Sequence, residues 1–397
     1  MRHDRFTGRV HSVGRRLGVA AIVVIGAALM ASTGGCEKVP TSQELIQEGQ
    51  TTPAAGTPVA AAQPVPVQQP AAVLVPVAPR VEDQQKVIAD FKNKPPYERN
   101  DQDLARLGNL TAGLDAFSNM DLNGSSVTDD GLKHLAKLTN LESLSLGGTK
   151  VTNAGLSVTL ELPKLTSLNL AGCTVTLPMM ETLSKVEKLD TLSLEGAKVG
   201  DNELVPLANV VLLKDLNLNN CPITDNGFKV LGLLKNLEIL KVAQTSINGS
   251  GMQFLKRNKD EVGLRVLDAK KTRFGEQGLQ YIRHIPTLEE LDVGQAEVSD
   301  QTLALQLKGV SHLKKLMLSF NNISDNGTQV LGTIKSLEEL YLVSCQRVGD
   351  KTLFFLKGNK ELSVLDVNGC GGVTTQGAQS LKKFLPNCEI RSLGGKL

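Results

Sequence analysis

The 397-residue chain carries 43 Lys and Arg against 41 Asp and Glu, a formal net charge of +2, with 3% aromatic residues and no tryptophan. A charge so balanced excludes the clustered basic excess of a nucleic-acid footprint, and so few aromatics leave no stacking platform for single strands. Removal of residues 1–35 would take five arginines and Asp4 with it and leave the remainder at −2.

Those first 35 residues differ from all that follows. Arg2, Arg5, Arg9, Arg15 and Arg16 precede an apolar run from Leu17 to Met30, and small residues close the segment. A basic start, a short apolar stretch and a small-residue end are the parts of a secretory signal peptide, and the run falls short of the ~20 residues a spanning helix needs. "TGGC", ending at Cys36, resembles a bacterial lipobox. That resemblance implies a lipidated Cys36 as the mature N-terminus and a membrane-anchored lipoprotein of the cell envelope, with secretion after ordinary cleavage as the alternative.

From residue 36 to residue 80 the chain is rich in Pro, Ala, Val and Gln without helix or strand periodicity, as in "TTPAAGTPVAAAQPVPVQQP". Such a tract forms no core and reads as an extended linker, with a reach of about 140 Å at ~3.1 Å per residue. Residues 81–116 read as an N-terminal helical cap, in which "ERNDQDLARLGNL" aligns with "SVTDDGLKHLAKL" and places Leu104 on Leu132 and Leu107 on Leu135.

"LESLSLGGTKVTNAGL", from Leu141 to Leu156, begins a regular series. Steps of 24 lead to Leu165, Leu189, Leu213 and Leu237, then steps of 27, 24, 25, 24 and 25 to Leu264, Leu288, Leu313, Leu337 and Leu362, with Phe117 one step before. These are eleven units between residues 117 and 384. Within one unit Leu144 and Leu146 alternate with Ser143 and Ser145, the period of a strand with one buried face. The following stretch changes period: Leu132, Leu135 and Leu138 form the inner stripe of a short helix, with Thr128 as N-cap and Asp129 and Asp130 in its positive first turn. "LPNCEIRSL" within residues 385–397 reads as a truncated closing strand and C-terminal cap.

L-x-x-L-x-L at a period of 20 to 29 residues is the signature of leucine-rich repeats, and this chain resembles that family from about residue 97 to its end. The ninth places hold Cys173, Cys221, Cys345 and Cys370 among small residues, and a [VI]-[TSG]-D-x-G-[LF] motif follows, as in "CPITDNGF". These features are similar to the cysteine-containing subclass known from F-box proteins and bacterial relatives. The resemblance implies an α/β solenoid, with a parallel sheet on the concave face and helices on the convex face. The resemblance to F-box proteins covers the repeat arm only, since residues 37–116 hold no convincing F-box.

No G-x-S-x-G elbow, H-E-x-x-H, P-loop or Rossmann glycine run occurs in strand-to-helix context, and His134, His284 and His312 have no partner at metal-ligand spacing. The chain therefore reads as non-enzymatic, without metal or cofactor. The repeated Asp129, Asp201, Asp225, Asp300, Asp325 and Asp350 follow helix-opening residues, and the helix dipole accounts for them. Cysteines at the ninth place are expected to be buried, reduced filler. Cys345 and Cys370 fall on adjacent rungs, but parallel stacking does not favour the close Cβ approach of a disulfide.

In this family function lies on the concave sheet, on the third, fifth, seventh and eighth places of each unit. Those places gather Met317, Phe320, Tyr341 and Val343 into a bulky patch, with Phe320 alternatively turned inward as loop filler. Lys241, Lys270 and Lys271 form a basic strip facing Asp268 and Asp292, which steers an acidic partner or is only mutually solvated charge. The expected role is recognition of a protein or peptide by a monomer. Two alternatives are an intracellular F-box-like adaptor and a glycan-binding or structural surface protein using Asn169, Asn217 and Asn219.

Overall fold

The computed structural model describes residues 81–256 and 262–397. The signal segment, Cys36 and the linker lie outside the described residues. Strands β1 (Asn119–Asp121), β2 (Ser143–Ser145), β3 (Ser167–Asn169), β4 (Thr191–Ser193), β5 (Asp215–Asn217), β6 (Ile239–Lys241), β7 (Val266–Asp268), β8 (Glu290–Asp292), β9 (Lys315–Met317), β10 (Glu339–Tyr341), β11 (Val364–Asp366), β12 (Glu389–Ser392) and β13 (Gly395–Lys396) form one sheet in chain order. Neighbours from β1 to β12 are parallel and pair at the same place of each unit, as Leu144 with Leu168 and Tyr341 with Met317. Alternation explains this register: Leu144 and Leu146 are fully buried while Ser143 and Ser145 are half-buried, and a slip of one residue would bury the serines. A single unit has nothing to bury its leucines against, so the rungs share one continuous core from Phe91 to Ile390.

The convex side carries the expected helices, as short segments that mix α-helical and 3-10 turns. α1 (Val81–Asn93) and α2 (Asp101–Gly108) belong to the N-terminal region; in the first rung α3 (Asp129–Leu132) gives way at once to a 3-10 turn over Lys133–Lys137. The same succession occurs at Asn153–Leu156 with Ser157–Glu161 and at Asp325–Thr328 with Gln329–Thr333. The reason is in the stripe itself. Leu132, Leu135 and Leu138 recur every three residues, the period of a 3-10 helix, and all three are buried. A 3-10 turn also rises ~2.0 Å per residue against ~1.5 Å in an α-helix, so a short unit spans the back of the sheet with fewer residues.

The repeated aspartates do more than face their own helices. Asp201 Oδ1 accepts the Thr224 N–H at 2.9 Å and its Oδ2 the Thr224 hydroxyl at 2.6 Å; Asp300 takes the same two groups of Ser324 at 2.6 and 2.5 Å, and Asp350 those of Thr374 at 2.8 and 2.7 Å. Asp129 clamps Thr152 likewise, and Asp101 in α2 clamps Thr128. Asp225 accepts the backbone N–H groups of Asn248 and Gly251, and Asp325 those of Gly349 and Thr352. Each carboxylate thus ties its rung to the cap of the next.

This arrangement accounts for the whole [TS]-D-x-G motif. The Thr152 hydroxyl donates to Asp129 and accepts from the Ala154 N–H, using both capacities of the group. The glycine follows from the same packing, since a Cβ at Gly155 or Gly377 would collide with the carboxylate of Asp129 or Asp350. The ladder has gaps: Asn153, Leu177, Gly249 and Glu276 stand in the aspartate place of the second, third, sixth and seventh rungs. Asn153 accepts the Thr182 hydroxyl at 2.7 Å in place of a cap, and the other three clamp no next-rung cap among the described residues.

At the ninth place Cys173, Cys221, Cys345 and Cys370 are buried free thiols, and Cys388 is a fifth in the closing strand. The first four donate to the preceding rung's backbone, at Leu146, Leu194, Leu318 and Leu342 carbonyls, over 3.0 to 3.4 Å. Burial pushes Cys221 up to about 11, Cys370 to about 12 and Cys388 to about 11. Asn321 serves the same place with four bonds, donating to Val293 and Leu318 carbonyls and accepting from the Ala296 and Val298 N–H groups.

The first rung is covered by α1 and α2. The Phe91 ring meets Phe117 edge-on at 5.9 Å, and the buried Arg99 guanidinium lies 4.4 Å over Phe91 while donating to the carbonyls of Phe91 and Asp121. Burial lowers the Arg99 pKa. Gln84 Oε1 closes the other side by accepting from the N–H groups of Thr111 and Ala112. At the far end β13 runs antiparallel to β12. Among the described residues no helix is long and apolar enough to cross a membrane.

Candidate functional site

The site is set by how each strand ends. The eighth place of every rung, from Gly124 to Gly369, has a positive φ between 52° and 72°. This left-handed turn leads the chain off the sheet, and glycine suits it because a Cβ there costs about 1–2 kcal/mol. The first four rungs and the eleventh use glycine, whereas the fifth to tenth carry Asn220, Gln244, Lys271, Gln295, Phe320 and Ser344.

The fifth place supports the same turn. Asp121, Asn169, Asn217, Asp268, Asp292 and Asp366 each accept, through Oδ1, the N–H two residues ahead at 2.9 to 3.1 Å. Such Asx turns hold the chain as it leaves the strand. Asp268 and Asp292 of the expected steering strip, like Asn169 and Asn217, thus each commit one Oδ1 bond to their own turn. The Asn217 Nδ2 also donates to Glu195.

Burial raises the pKa of Asp268 and of Asp292; in Asp292 the neighbouring Asp268 raises it further, while Lys270 and Lys315 oppose the shift. Lys241 pairs in register with Asp268, and Asp268 with Asp292.

Rungs two, four and six carry Ser145, Ser193 and Lys241 in place of the Asx residue, and rungs nine and ten carry Met317 and Tyr341, which stand side by side in register. The half-buried Tyr341 hydroxyl donates to Glu339 at 2.8 Å, and Lys315 reaches the same carboxylate at 3.1 Å and lies 5.8 Å from the Tyr341 ring. Burial alone would raise Glu339, but the bonds from Tyr341 and Lys315 outweigh it and hold it below its ordinary range. Burial and the bond to Glu339 raise Tyr341 in turn. Val343, half-buried at the seventh place, continues this surface.

Two expected members stand elsewhere. Phe320 does not turn inward: it is 55% exposed and, with Lys271, lines a cleft of about 870 Å³ on the rim where the strands end. Gln295, Arg273, Glu297 and Asn322 complete that wall. The sequence reading missed this division because it treated the eighth place as part of the sheet. The signal was the glycine column of the other rungs, which marks the backbone as already leaving the sheet.

Comparison with known proteins places this geometry. A sequence profile described as Leucine Rich repeat matches residues 137–158, 212–232 and 311–332. No curated protein sequence matches the chain. Among solved structures, an internalin (inlF) from Listeria monocytogenes superposes with a TM-score of 0.53 at 23% identity, over 73% of this chain and 76% of that one. An internalin C2 (inlC2) from the same organism shows 22% identity over 54% of this chain and 84% of that one, with a TM-score of 0.40. The matched segments, the stacked parallel strands and the first of these superpositions agree that the chain folds as a leucine-rich-repeat solenoid.

Proposed function

We propose that the chain is a non-enzymatic recognition module that binds a protein or peptide on its concave sheet around Met317, Tyr341 and Val343. One observation carries this reading: of the five rungs without an Asx turn at the fifth place, only the ninth and tenth fill it with large apolar or aromatic side chains, and these stand side by side in register, suited to an interface. Lys241, Lys270, Asp268 and Asp292 flank the patch and fix the orientation of a charged partner more than its affinity. The backbone is ordered before binding, so little conformational entropy is lost on association. The N-terminal pattern supports export, lipid attachment at Cys36 and a linker that holds the repeats away from the envelope membrane.

The experiment is an affinity capture from the native membrane fraction with the exported chain as bait, followed by titration of the captured partner. The double substitution Tyr341→Ala with Met317→Ala should weaken binding at least tenfold, the loss expected of a central anchor. An unchanged affinity with unchanged circular dichroism would remove the patch from consideration.

A further inference from the structure

We propose that the rim cleft of the sixth to ninth rungs is a second recognition site, separate from the concave patch, and that it takes an acidic peptide segment carrying one large apolar side chain. The first support is conformational. Seven described non-glycine residues have positive φ, and four of them, Lys271, Gln295, Glu297 and Phe320, line this one cleft. Five other rungs make the eighth-place turn with glycine, so the fold alone does not require Lys271, Gln295 or Phe320 there; Glu297, at the tenth place, adds a left-handed residue of its own. Strained backbone retained at a concavity is a mark of function, because the cheaper residue would serve the turn equally well.

The second support is chemical. Phe320 presents an aromatic ring to solvent at one end of the cleft, where it acts as an apolar anchor. Lys271 has no ion-pair partner among the described residues, and Arg273 meets only Glu297, at 3.9 Å with both side chains exposed. Positive charge thus exceeds negative on the wall, and the surplus suits a carboxylate. The third support is spatial: the aspartate ladder is absent on the sixth and seventh rungs, where Gly249 and Glu276 replace it. The opening therefore lies beside rungs that no aspartate clamps among the described residues, joined instead by the exposed ion pairs of Arg265 with Glu238 and Glu289.

The test uses the full chain and a fluorescein-labelled peptide of aspartate and glycine with one central tryptophan, read by fluorescence anisotropy. Two control peptides replace the aspartates by lysine or the tryptophan by glycine. Saturable binding of the first peptide and at least tenfold weaker binding of both controls are expected. Phe320→Gly should weaken binding about tenfold, and Lys271→Gly should weaken it in a salt-sensitive way. Neither should lower the melting temperature, because each relieves a left-handed side chain. Tyr341→Ala should leave this binding unchanged, which separates the cleft from the concave patch. Failure of the wild-type chain to bind, equal binding of the lysine peptide, or loss on Tyr341→Ala with retention on Phe320→Gly would overturn the proposal. A fall in melting temperature in both glycine variants would also overturn it, by showing that the side chains serve the fold.

Discussion

The aspartate ladder predicts that Asp300→Ala destabilises the solenoid far more than a surface carboxylate at a helix start should. Asp300 accepts the Ser324 N–H at 2.6 Å and the Ser324 hydroxyl at 2.5 Å, and its side chain is 26% exposed, with Arg347 at 3.9 Å. Ser324 itself is only 8% exposed, so its N–H would lose its acceptor where water has poor access. A hydrogen bond to a charged group contributes roughly 1.5–3 kcal/mol, and an orphaned buried donor costs roughly 1–3 kcal/mol. Discounted for partial exposure, the two bonds together come to about 2–3 kcal/mol. The dipole of its own helix accounts for only about 0.3–1 kcal/mol.

Asn separates the two causes. An amide oxygen still accepts the Ser324 N–H and its NH2 can donate to the Ser324 hydroxyl, so Asp300→Asn should cost about 1 kcal/mol or less. Urea unfolding followed by circular dichroism gives the three stabilities, and a double-mutant cycle with Ser324→Ala should return about 1 kcal/mol of coupling. Equal and small losses for Asp300→Ala and Asp300→Asn would refute the ladder and restore the dipole as sufficient.

Asp292 carries a pKa raised by burial, so its stabilising share is present below the ordinary carboxylate pKa and lost as pH rises through the elevated folded value. Asp292→Asn, which keeps the bond from the Gly294 N–H, should therefore stabilise the protein at neutral pH, with the gain fading below about pH 4; a gain independent of pH would contradict this. Buried thiols held at about 11 to 12 in Cys221, Cys370 and Cys388 should resist an aromatic disulfide reagent in native buffer and react in denaturant, and rapid native labelling would be inconsistent with their burial. In the expressing cell, Cys36→Ser should abolish incorporation of a labelled fatty acid and release the chain from the membrane fraction, whereas persistent labelling would reassign the anchor.

Much of the fold was legible because a solenoid writes its core into the sequence once per rung. The leucines of the first, fourth and sixth places mark the strands without further help, and "LPNCEIRSL" announced β12 by the same rule. What was not legible depends on neighbours 24 residues away. Asp129 in a helix's first turn reads the same whether it serves that helix or Thr152 of the next rung; only the glycine three places beyond the threonine, at Gly155, betrays the carboxylate lying over it. The helix stripe was visible too, and its spacing of three is the 3-10 period that Lys133–Lys137 adopts after the short α3. Lys271 and Phe320 looked like members of the sheet because their left-handed backbone is disguised when the residue is not glycine. Asp268 and Asp292 looked free to meet a partner, whereas each first satisfies the backbone two residues on.

The gaps in the ladder bear on how such a stack comes apart. Asp300, Asp325 and Asp350 bind the last rungs into one block, and Asp201 and Asp225 carry clamps as far as the sixth. The two steps from the sixth to the eighth rung have no aspartate clamp among the described residues and are bridged by the exposed Arg265, which reaches Glu238 at 3.6 Å and Glu289 at 3.0 Å. In a quasi-one-dimensional array each interface resists separately, so strain gathers at the least fastened joint. Tension across the stack would therefore open the joints held by exposed ion pairs before those held by carboxylate clamps, and leave blocks that each keep their own fastenings.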